Sequence, residues 1–354
     1  MGLKLLHSAD WHLDSPFTGF PENQRQRLKK EQKALPGRIA DLCRRENCDL
    51  VLLAGDLFDG EASGETVENL KKELERMAVP VLISPGNHDF CAPGSPWLEE
   101  TWPENVYIFT GALESVSVLG LNCRVYGAAF RSMDCPPLLE DFQAEGGERY
   151  CIALLHGDPL QKNSPYNPIS NAQVRNSNLD YLALGHVHKA GAFRSGNTLC
   201  AWPGCPMGRG WDETGDKGVC IVTLDQETSI RAVSLDTLRF FDLEVDVDAG
   251  AAQALAEALP PTPTEDFYRI TLTGCAQVDL DALEDQFRQF PNLHLRDNTQ
   301  PPLELWEGLE EDTLEGIYFR MLRNAMEADP ENRETIRLAA EISRKLLAGR
   351  EVTL

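Results

Sequence analysis

The stretch Val51-Leu-Leu-Ala-Gly-Asp-Leu-Phe-Asp59 restricts the fold more than any other part of the chain. Four consecutive apolar residues, Val51 to Ala54, read as a short strand covered on both faces, as in a parallel sheet. The strand stops at Gly55 and hands over Asp56, with Asp59 three residues on. Carboxylates just past the C-terminal end of a buried strand are where open α/β sheets keep their chemistry. An Asp after Gly is also an ordinary turn residue. What decides between the two readings is how many other strand ends carry polar residues in matching context.

Leu3 to His7 reads as a first strand, followed by the polar loop Ser8-Ala-Asp-Trp-His-Leu-Asp14. Residues 22–47 carry helical spacing at Leu28, Leu35, Ile39 and Leu42, and Pro36-Gly37 predicts a break into two helices. Beyond the strand at 51–54, a helix is predicted over 64–78 with Val67, Leu70, Leu74 and Met77 on one face. A strand over Val79 to Ser84 then ends in Pro85-Gly-Asn-His-Asp89. This βαβ alternation predicts a parallel sheet with right-handed crossovers. From Val106 onward short strands follow closely, at 107–109, 116–118, 124–126, 151–155, 181–184, 219–224 and 230–234, as in a second, more antiparallel sheet. The expected fold class is α/β: two sheets face to face with helices outside.

After Phe241 the texture becomes strand, helix (249–259), strand (267–272), helix (280–290) and strand (293–295), a small α+β domain. Beyond Pro301-Pro302 the chain is acidic and then helical. Leu314, Ile317, Met321, Leu322 and Ala325 form one apolar stripe, and Ile336, Ala339, Leu346 and Leu347 a second. Asp329-Pro330 reads as the cap and first position of the second helix, and Gly349 as its end. The expected domains are 1–238, 239–302 as a small cap, and 303–354 as a helical segment.

A chain of 354 residues is long enough for this division. Its formal net charge of -23 argues against a broad basic surface for nucleic acid. A phosphodiester substrate stays open, because divalent cations would supply positive charge locally. The 10 cysteines include no CxxC pair, and the spacings Cys43/Cys48 and Cys200/Cys205 match no zinc finger. Scattered cysteines of this kind read as small buried residues in a reducing compartment. No long apolar run marks a leader or a membrane span. The expectation is a cytoplasmic protein with no membrane association.

Five of the seven histidines, His12, His88, His156, His186 and His188, lie in short polar loops after apolar strands, accompanied by Asp10, Asp56 and Asn87. A lone loop histidine is usually a surface residue, but so many at strand ends are not explained that way. Imidazole, carboxylate and amide oxygen without thiolate suit Mn, Fe, Co or Zn. The set exceeds the needs of one tetrahedral ion. It suits a pair about 3.5–4 Å apart with a shared carboxylate, the clamp used on phosphate esters.

In order, Asp10-Trp-His12, Gly55-Asp56-Leu-Phe-Asp59, Gly86-Asn-His-Asp89, His156-Gly-Asp158 and Gly185-His-Val-His188 resemble the motifs of the calcineurin-like metallophosphoesterase superfamily. Within it the chain is similar to the SbcD-like DNA repair nucleases. Asp10 to Phe17, Trp202 to Arg209 and Glu213 to Gly218 look most like the YhaO branch. The motif match covers residues 1 to about 235. It implies a four-layer α-β-β-α sandwich with a small α+β capping domain and a C-terminal helical tail. It also implies two divalent ions, manganese foremost. One would be held by Asp10, His12, Asp56 and His188, the other by Asp56, Asn87, His156 and His186. Asp56 would bridge, and a bridging hydroxide would attack phosphorus. His88 would face the scissile phosphate and stabilise charge or protonate the leaving oxygen.

One residue departs from the nuclease pattern. SbcD-like nucleases usually carry His where this chain has Asp59, and the phosphoprotein phosphatases of the superfamily carry Asp there. Asp59 is therefore expected to hydrogen-bond His88 and raise its pKa. The resemblance implies an exo- or endonuclease acting on DNA. Asp59 and the acidic charge favour the alternative of a phosphatase or phosphodiesterase on a different substrate. It further implies an SMC-like ATPase partner gripped by the C-terminal helices, and a homodimer is a further open assembly. Asp14, Asp89 and Asp158 are expected to orient ligands, His7 to be core or support, His294 to be structural or exposed, and Trp11 and Trp202 to pack, with stacking on a base as the lesser alternative.

Overall fold

The computed structural model describes residues 2–118, 120–300 and 304–350. The chain divides into two compact units: residues up to Asp242 with Glu265–Arg269, and Leu243–Thr264 with everything from Ile270 on.

The first unit opens with β1 (Leu3–Ser8), α1 (Glu22–Glu46), β2 (Leu50–Leu53), α2 (Gly64–Met77), β3 (Val81–Ile83), α3 (Pro96–Glu99) and β4 (Val106–Ile108). There follow β5 (Glu114–Val118), β6 (Cys123–Gly127), β7 (Tyr150–His156), α4 (Asn171–Asn176), β8 (Tyr181–Gly185), β9 (Gly191–Ser195) and β10 (Thr198–Trp202). β11 (Gly218–Leu224) and β12 (Ser229–Ser234) complete it. The strands form two six-stranded sheets, ordered β12-β11-β1-β2-β3-β4 and β5-β6-β7-β8-β10-β9.

The apolar runs alternate between two cores, as the two-residue period of a strand requires. Leu50, Leu52 and Ala54 point into the space between the sheets with Leu5, Ile152, Leu154, Tyr181 and Ala183. Val51 and Leu53 point the other way, against α1 and α2 through Leu28, Leu35, Ile39, Val67, Leu70 and Leu74. The outer face of the second sheet is covered by Val174 of α4 together with loop residues Leu139, Ile169 and Leu179. The expected α-β-β-α order is present, with loops and one short helix as its fourth layer.

Three local expectations need correction. Pro36 does not break α1, which runs unbroken over Glu22–Glu46. A proline inside a helix costs about 3 kcal/mol. Burying four large aliphatic side chains along the same helix returns about 1.5–3 kcal/mol each, so packing wins. The second sheet is not mainly antiparallel: β6-β7, β7-β8 and β8-β10 are parallel pairs. β4, β11 and β12 join the first sheet instead. Short apolar runs do not state their partners, and β9 and β10 are not legible in the sequence because Gly191 and the turn at Gly196 interrupt them.

The second unit carries most of a sheet of order β13-β14-β15, from β13 (Phe240–Asp246), β14 (Phe267–Thr273) and β15 (Leu293–Asp297). Its helices are α5 (Ala251–Ala258), α6 (Leu280–Gln286), α7 (Leu314–Ala328) and α8 (Arg333–Leu347). Pro301 and Pro302, read as a linker, lie outside the described residues. α8 starts three residues later than expected, capped at Asn332, while the Asp329 carboxylate accepts from Asn332 Nδ2 at 2.9 Å. Phe319 and Ala340 are the fully buried side chains joining α7 to α8, packed with Leu309, Trp306 and Leu322. Among the described residues no helix is long and apolar enough to cross a membrane.

Candidate metal centre

All the loops singled out in the sequence meet at one edge of the paired sheets. Asp10 and His12 follow β1, Asp56 follows β2, Asn87 follows β3, His156 ends β7, and His186 and His188 follow β8. The chain turns sharply to get them there: Asp10, His12, Asp56 and His186 all have positive φ, between 46° and 94°. Such backbone is costly for residues other than glycine and is tolerated where the surroundings over-determine it. Gly86 lets the β3 loop close on the β2 loop, since a Cβ there would collide with Asp56 Oδ1 and lie 2.8 Å from His156 Nδ1.

Three overlapping groups bring their ligand atoms within 4.8 Å of one another: Asp10-His12-His188, Asp10-Asp56-His156 and His12-Asp56-His88. Asp56 belongs to two of them. Its Oδ2 lies 3.4 Å from His156 Nε2 and 3.8 Å from His12 Nε2. Asn87 Oδ1 lies 2.9 Å from His156 Nε2 and 3.3 Å from His186 Nδ1. His12 Nε2 and His188 Nε2 face each other at 3.1 Å. The third group draws in His88, which the resemblance keeps off the metal. His88 is the least buried of these residues, its side chain 42% exposed.

Several partners fix these side chains. His156 Nδ1 donates to the Ala54 carbonyl at 2.8 Å, which turns Nε2 toward Asp56 and Asn87. Asp89 accepts from the backbone N–H of Gly86 at 2.7 Å, Leu57 at 2.8 Å and Asp56 at 3.2 Å, tying the two loops together. Burial and the nearby Asp56 charge push the Asp89 carboxyl up to about 7. Among the described residues, Asp14 and Asp158 make no hydrogen bond to a candidate ligand side chain. Asp14 accepts from Ser63 N and Thr66 Oγ1 at the start of α2, and Asp158 accepts from Leu160 N and Gln161 N in its own turn.

Asp59 Oδ1 lies 3.3 Å from His88 Nδ1 and equally 3.3 Å from His12 Nδ1, while Ser15 Oγ donates to Oδ2 at 2.9 Å. The hydrogen bond to Asp59 raises the His88 pKa against the pull of burial. Burial opposes the charge on Asp56, yet His156, His12 and the His88 backbone N–H hold its carboxyl well below the usual range. Burial also pulls His156 down, but Asp56 outweighs it and leaves His156 up at about 9. Burial pulls His186 down to about 4. Two buried carboxylates, four inward imidazoles and an amide oxygen, with no thiolate, are a donor set for borderline divalent cations. They fit the expected group.

The remaining candidates lie away from this cluster or spend their polar atoms on the protein. His7 is fully buried between Tyr181 OH at 2.7 Å and the Leu184 carbonyl at 3.1 Å. His294 lies in β15, in the other unit. Trp11 and Trp202 are buried and spend their Nε1 protons on Ser8 Oγ and the Lys189 carbonyl. Sequence reasoning gave no role to Arg209 and Glu213. Glu213 Oε1 lies 2.7 Å from His188 Nδ1 and 2.8 Å from Arg209 Nη2. Their one signal was the short segment between Trp202 and Gly218, where an Arg and a Glu stand four apart among glycines.

The sequence profile of the calcineurin-like phosphoesterases matches residues 3–190, from β1 through the His186-His188 loop. The chain belongs to that family. Its members bind divalent metals, and phosphoester hydrolysis is the family's chemistry. Among the family's proteins the chain is 35% identical over 234 residues to the uncharacterized metallophosphoesterase YhaO of Bacillus subtilis, covering 62% of this chain and 57% of that one. It is 34% identical over 329 residues to the D component of the SbcCD nuclease of Staphylococcus epidermidis, covering 82% and 84%. A dimetal phosphatase from Danio rerio superposes with a TM-score of 0.46 at 15% identity, over 66% of this chain and 96% of that one.

Proposed function

We propose that this phosphoesterase is a manganese-dependent nuclease that cleaves DNA phosphodiester bonds. The observation that carries the reading is the gathering of seven donor side chains from five strand ends, with the Asp56 carboxylate shared by two of the ligand groups. Asp10, His12, Asp56 and His188 would hold one ion, and Asp56, Asn87, His156 and His186 a second. The ions would supply an activated water and neutralise phosphate charge.

The chain's own groups do the rest. The strained loops and the Asp89 clamp keep the donors in place before substrate arrives, so little reorganisation is needed. His88, exposed on one side and held by Asp59 on the other, is placed to give a proton to the leaving oxygen. The kinship with a component of the SbcCD nuclease supports DNA as the substrate and an ATPase as the partner. The partner would take up the exposed apolar side chains of α7 and α8, and would add the basic surface that a chain of net charge -23 lacks.

The test is purified protein with manganese and labelled single-stranded, duplex and hairpin DNAs, beside a generic phosphodiester. Cleavage of any of the DNAs supports the nuclease reading. Hydrolysis of the generic ester with every DNA left intact overturns it in favour of a phosphodiesterase or phosphatase on another substrate, the reading that Asp59 beside His88 favours.

A further inference from the structure

Between β10 and β11 the chain makes a tight turn, Gly208-Arg-Gly-Trp-Asp-Glu213, closed by Glu213 N–H donating to the Gly210 carbonyl at 3.1 Å. A side chain at 208 would meet the Glu213 carbonyl oxygen at 2.6 Å, so the turn needs glycine there. The turn delivers Glu213 into the protein, with its side chain 5% exposed. A buried carboxylate is costly unless it is paired and hydrogen-bonded. Here both oxygens are used. Oε1 accepts from His188 Nδ1 at 2.7 Å and Arg209 Nη2 at 2.8 Å, and Oε2 accepts from the Arg209 backbone N–H at 2.8 Å.

Two consequences follow from this geometry. First, the Nδ1 proton of His188 is committed to Glu213, so Nε2 keeps its lone pair, on the side where it faces His12 Nε2. Second, the Arg209 guanidinium is fixed beside the same imidazole, with Nη2 3.1 Å from Nδ1. Its charge reaches His12, His88 and Asp59, disfavouring protonation of the two histidines. Nη2 and Nε point at Glu213, whereas Nη1 has no hydrogen bond to any of the described residues. The side chain is 20% exposed. A guanidinium tethered along one edge, with the other edge open beside a phosphoesterase centre, matches the planar fork that recognises phosphate oxygens. A lysine could not be tethered and still offer a second edge.

We infer that Arg209 binds a non-bridging oxygen of the substrate phosphodiester, and that Glu213 is the positioning residue that holds both Arg209 and the metal-facing tautomer of His188. The assignment rests on the proposed cleavage of phosphodiester bonds and adds to it a phosphate contact made by the protein itself. It divides labour between neighbours. Arg209 acts on substrate with no share in holding the ions, and Glu213 acts on the ions through His188 and on substrate through Arg209.

The experiment uses the full-length chain, with manganese alone and inorganic phosphate alone as probes. Manganese binding is titrated calorimetrically for the wild type, Arg209→Lys, Arg209→Gln and Glu213→Gln. Phosphate is then measured as a competitive inhibitor of generic phosphodiester hydrolysis. Glu213→Gln should weaken manganese binding by about 10- to 100-fold. Both Arg209 variants should bind manganese as the wild type does, yet weaken phosphate inhibition by about 10-fold or more, with the loss in kcat/KM carried mainly by KM. Having two Arg209 variants, each checked by its thermal transition, guards against one that does not fold. Phosphate inhibition within twofold of wild type in a folded Arg209 variant overturns the contact. Unchanged manganese affinity in Glu213→Gln overturns the positioning role. A wild-type protein that binds manganese but neither hydrolyses the ester nor responds to phosphate sinks the functional reading itself, a separate outcome from variants that behave like an active wild type.

Discussion

The strand-end loops of the first unit and the helix pair of the second break the same rule in opposite directions. The loops bury what is normally exposed: Asp10, His12, Asp56, Asn87 and His156 lie almost wholly out of solvent. The helices expose what is normally buried: Leu314 is 86% exposed and Leu346 63%, with Met321 and Leu347 also mostly open. Buried polar groups and exposed apolar ones are the informative departures from ordinary burial. The loops gather ligand atoms within 4.8 Å of one another in three overlapping groups, a spacing that suits small cations. The helices present a strip of exposed aliphatic side chains, which suits the broad apolar partner proposed for them.

The comparison breaks most severely at Asp56. Because it is shared by two of the ligand groups, Asp56→Asn should lose manganese and phosphodiester hydrolysis together. His88→Ala should keep full manganese content and lose about 10²- to 10⁴-fold in kcat, the usual worth of a positioned proton donor. Metal analysis by mass spectrometry on both proteins decides the matter. Full occupancy in the Asp56 variant would show that the loops are organised around something else.

On the helical side, the contrast lies within the α7-α8 pair. Phe319 is fully buried, and Phe319→Ala should cost about 3–5 kcal/mol of the stability of the α7-α8 pair. Leu314 and Leu346 are exposed, and replacing both by Glu should change stability by no more than about 0.5 kcal/mol per site. The double variant should nonetheless fail to co-purify with the proposed ATPase partner while hydrolysing a small phosphodiester at the wild-type rate. Undiminished co-purification would remove this strip as the docking face.

How far the sequence could be read differs between the two regions for physical reasons. Each candidate ligand sits just after an apolar run, so local pattern alone placed Asp10, His12, Asp56, Asn87, His156, His186 and His188 at strand ends. Glu213 and Arg209 could not be found that way. Their function depends on a turn whose partner, His188, is 25 residues away from Glu213 in sequence. The sheet partners of β4, β11 and β12 were hidden for the same reason, since pairing is set by long-range packing. In the tail, the periodic residues Leu314, Ile317 and Met321 mark an apolar stripe, read as a docking face. The aromatic Phe319 and small Ala340, which no periodic count favoured, form the buried contact. Periodicity reports an apolar face and is silent about what covers it.

His7 sharpens the comparison from inside the first region, because it is a buried histidine that serves structure. It lies three residues before Asp10, yet both its ring nitrogens are taken by protein: Nδ1 accepts from Tyr181 OH and Nε2 donates to the Leu184 carbonyl. That arrangement needs the neutral ring, and burial holds its pKa down to about 3. An unfolded chain returns the ring to an ordinary value near 6.5. Between those two values the unfolded state therefore binds a proton that the native state does not. Stability from this group is fully present above pH of about 6.5 and drains away as pH falls toward about 3. Between pH 7.5 and pH 5 the loss should come to about 2 kcal/mol. His7→Gln has no proton to gain. Its unfolding free energy, from urea titrations at the two pH values, should fall by about 2 kcal/mol less than that of the wild type. Every other ionisable group is the same in both proteins and cancels in the difference. Equal losses would mean that His7 accepts a proton in the folded state, and that its two hydrogen bonds do not fix the neutral ring.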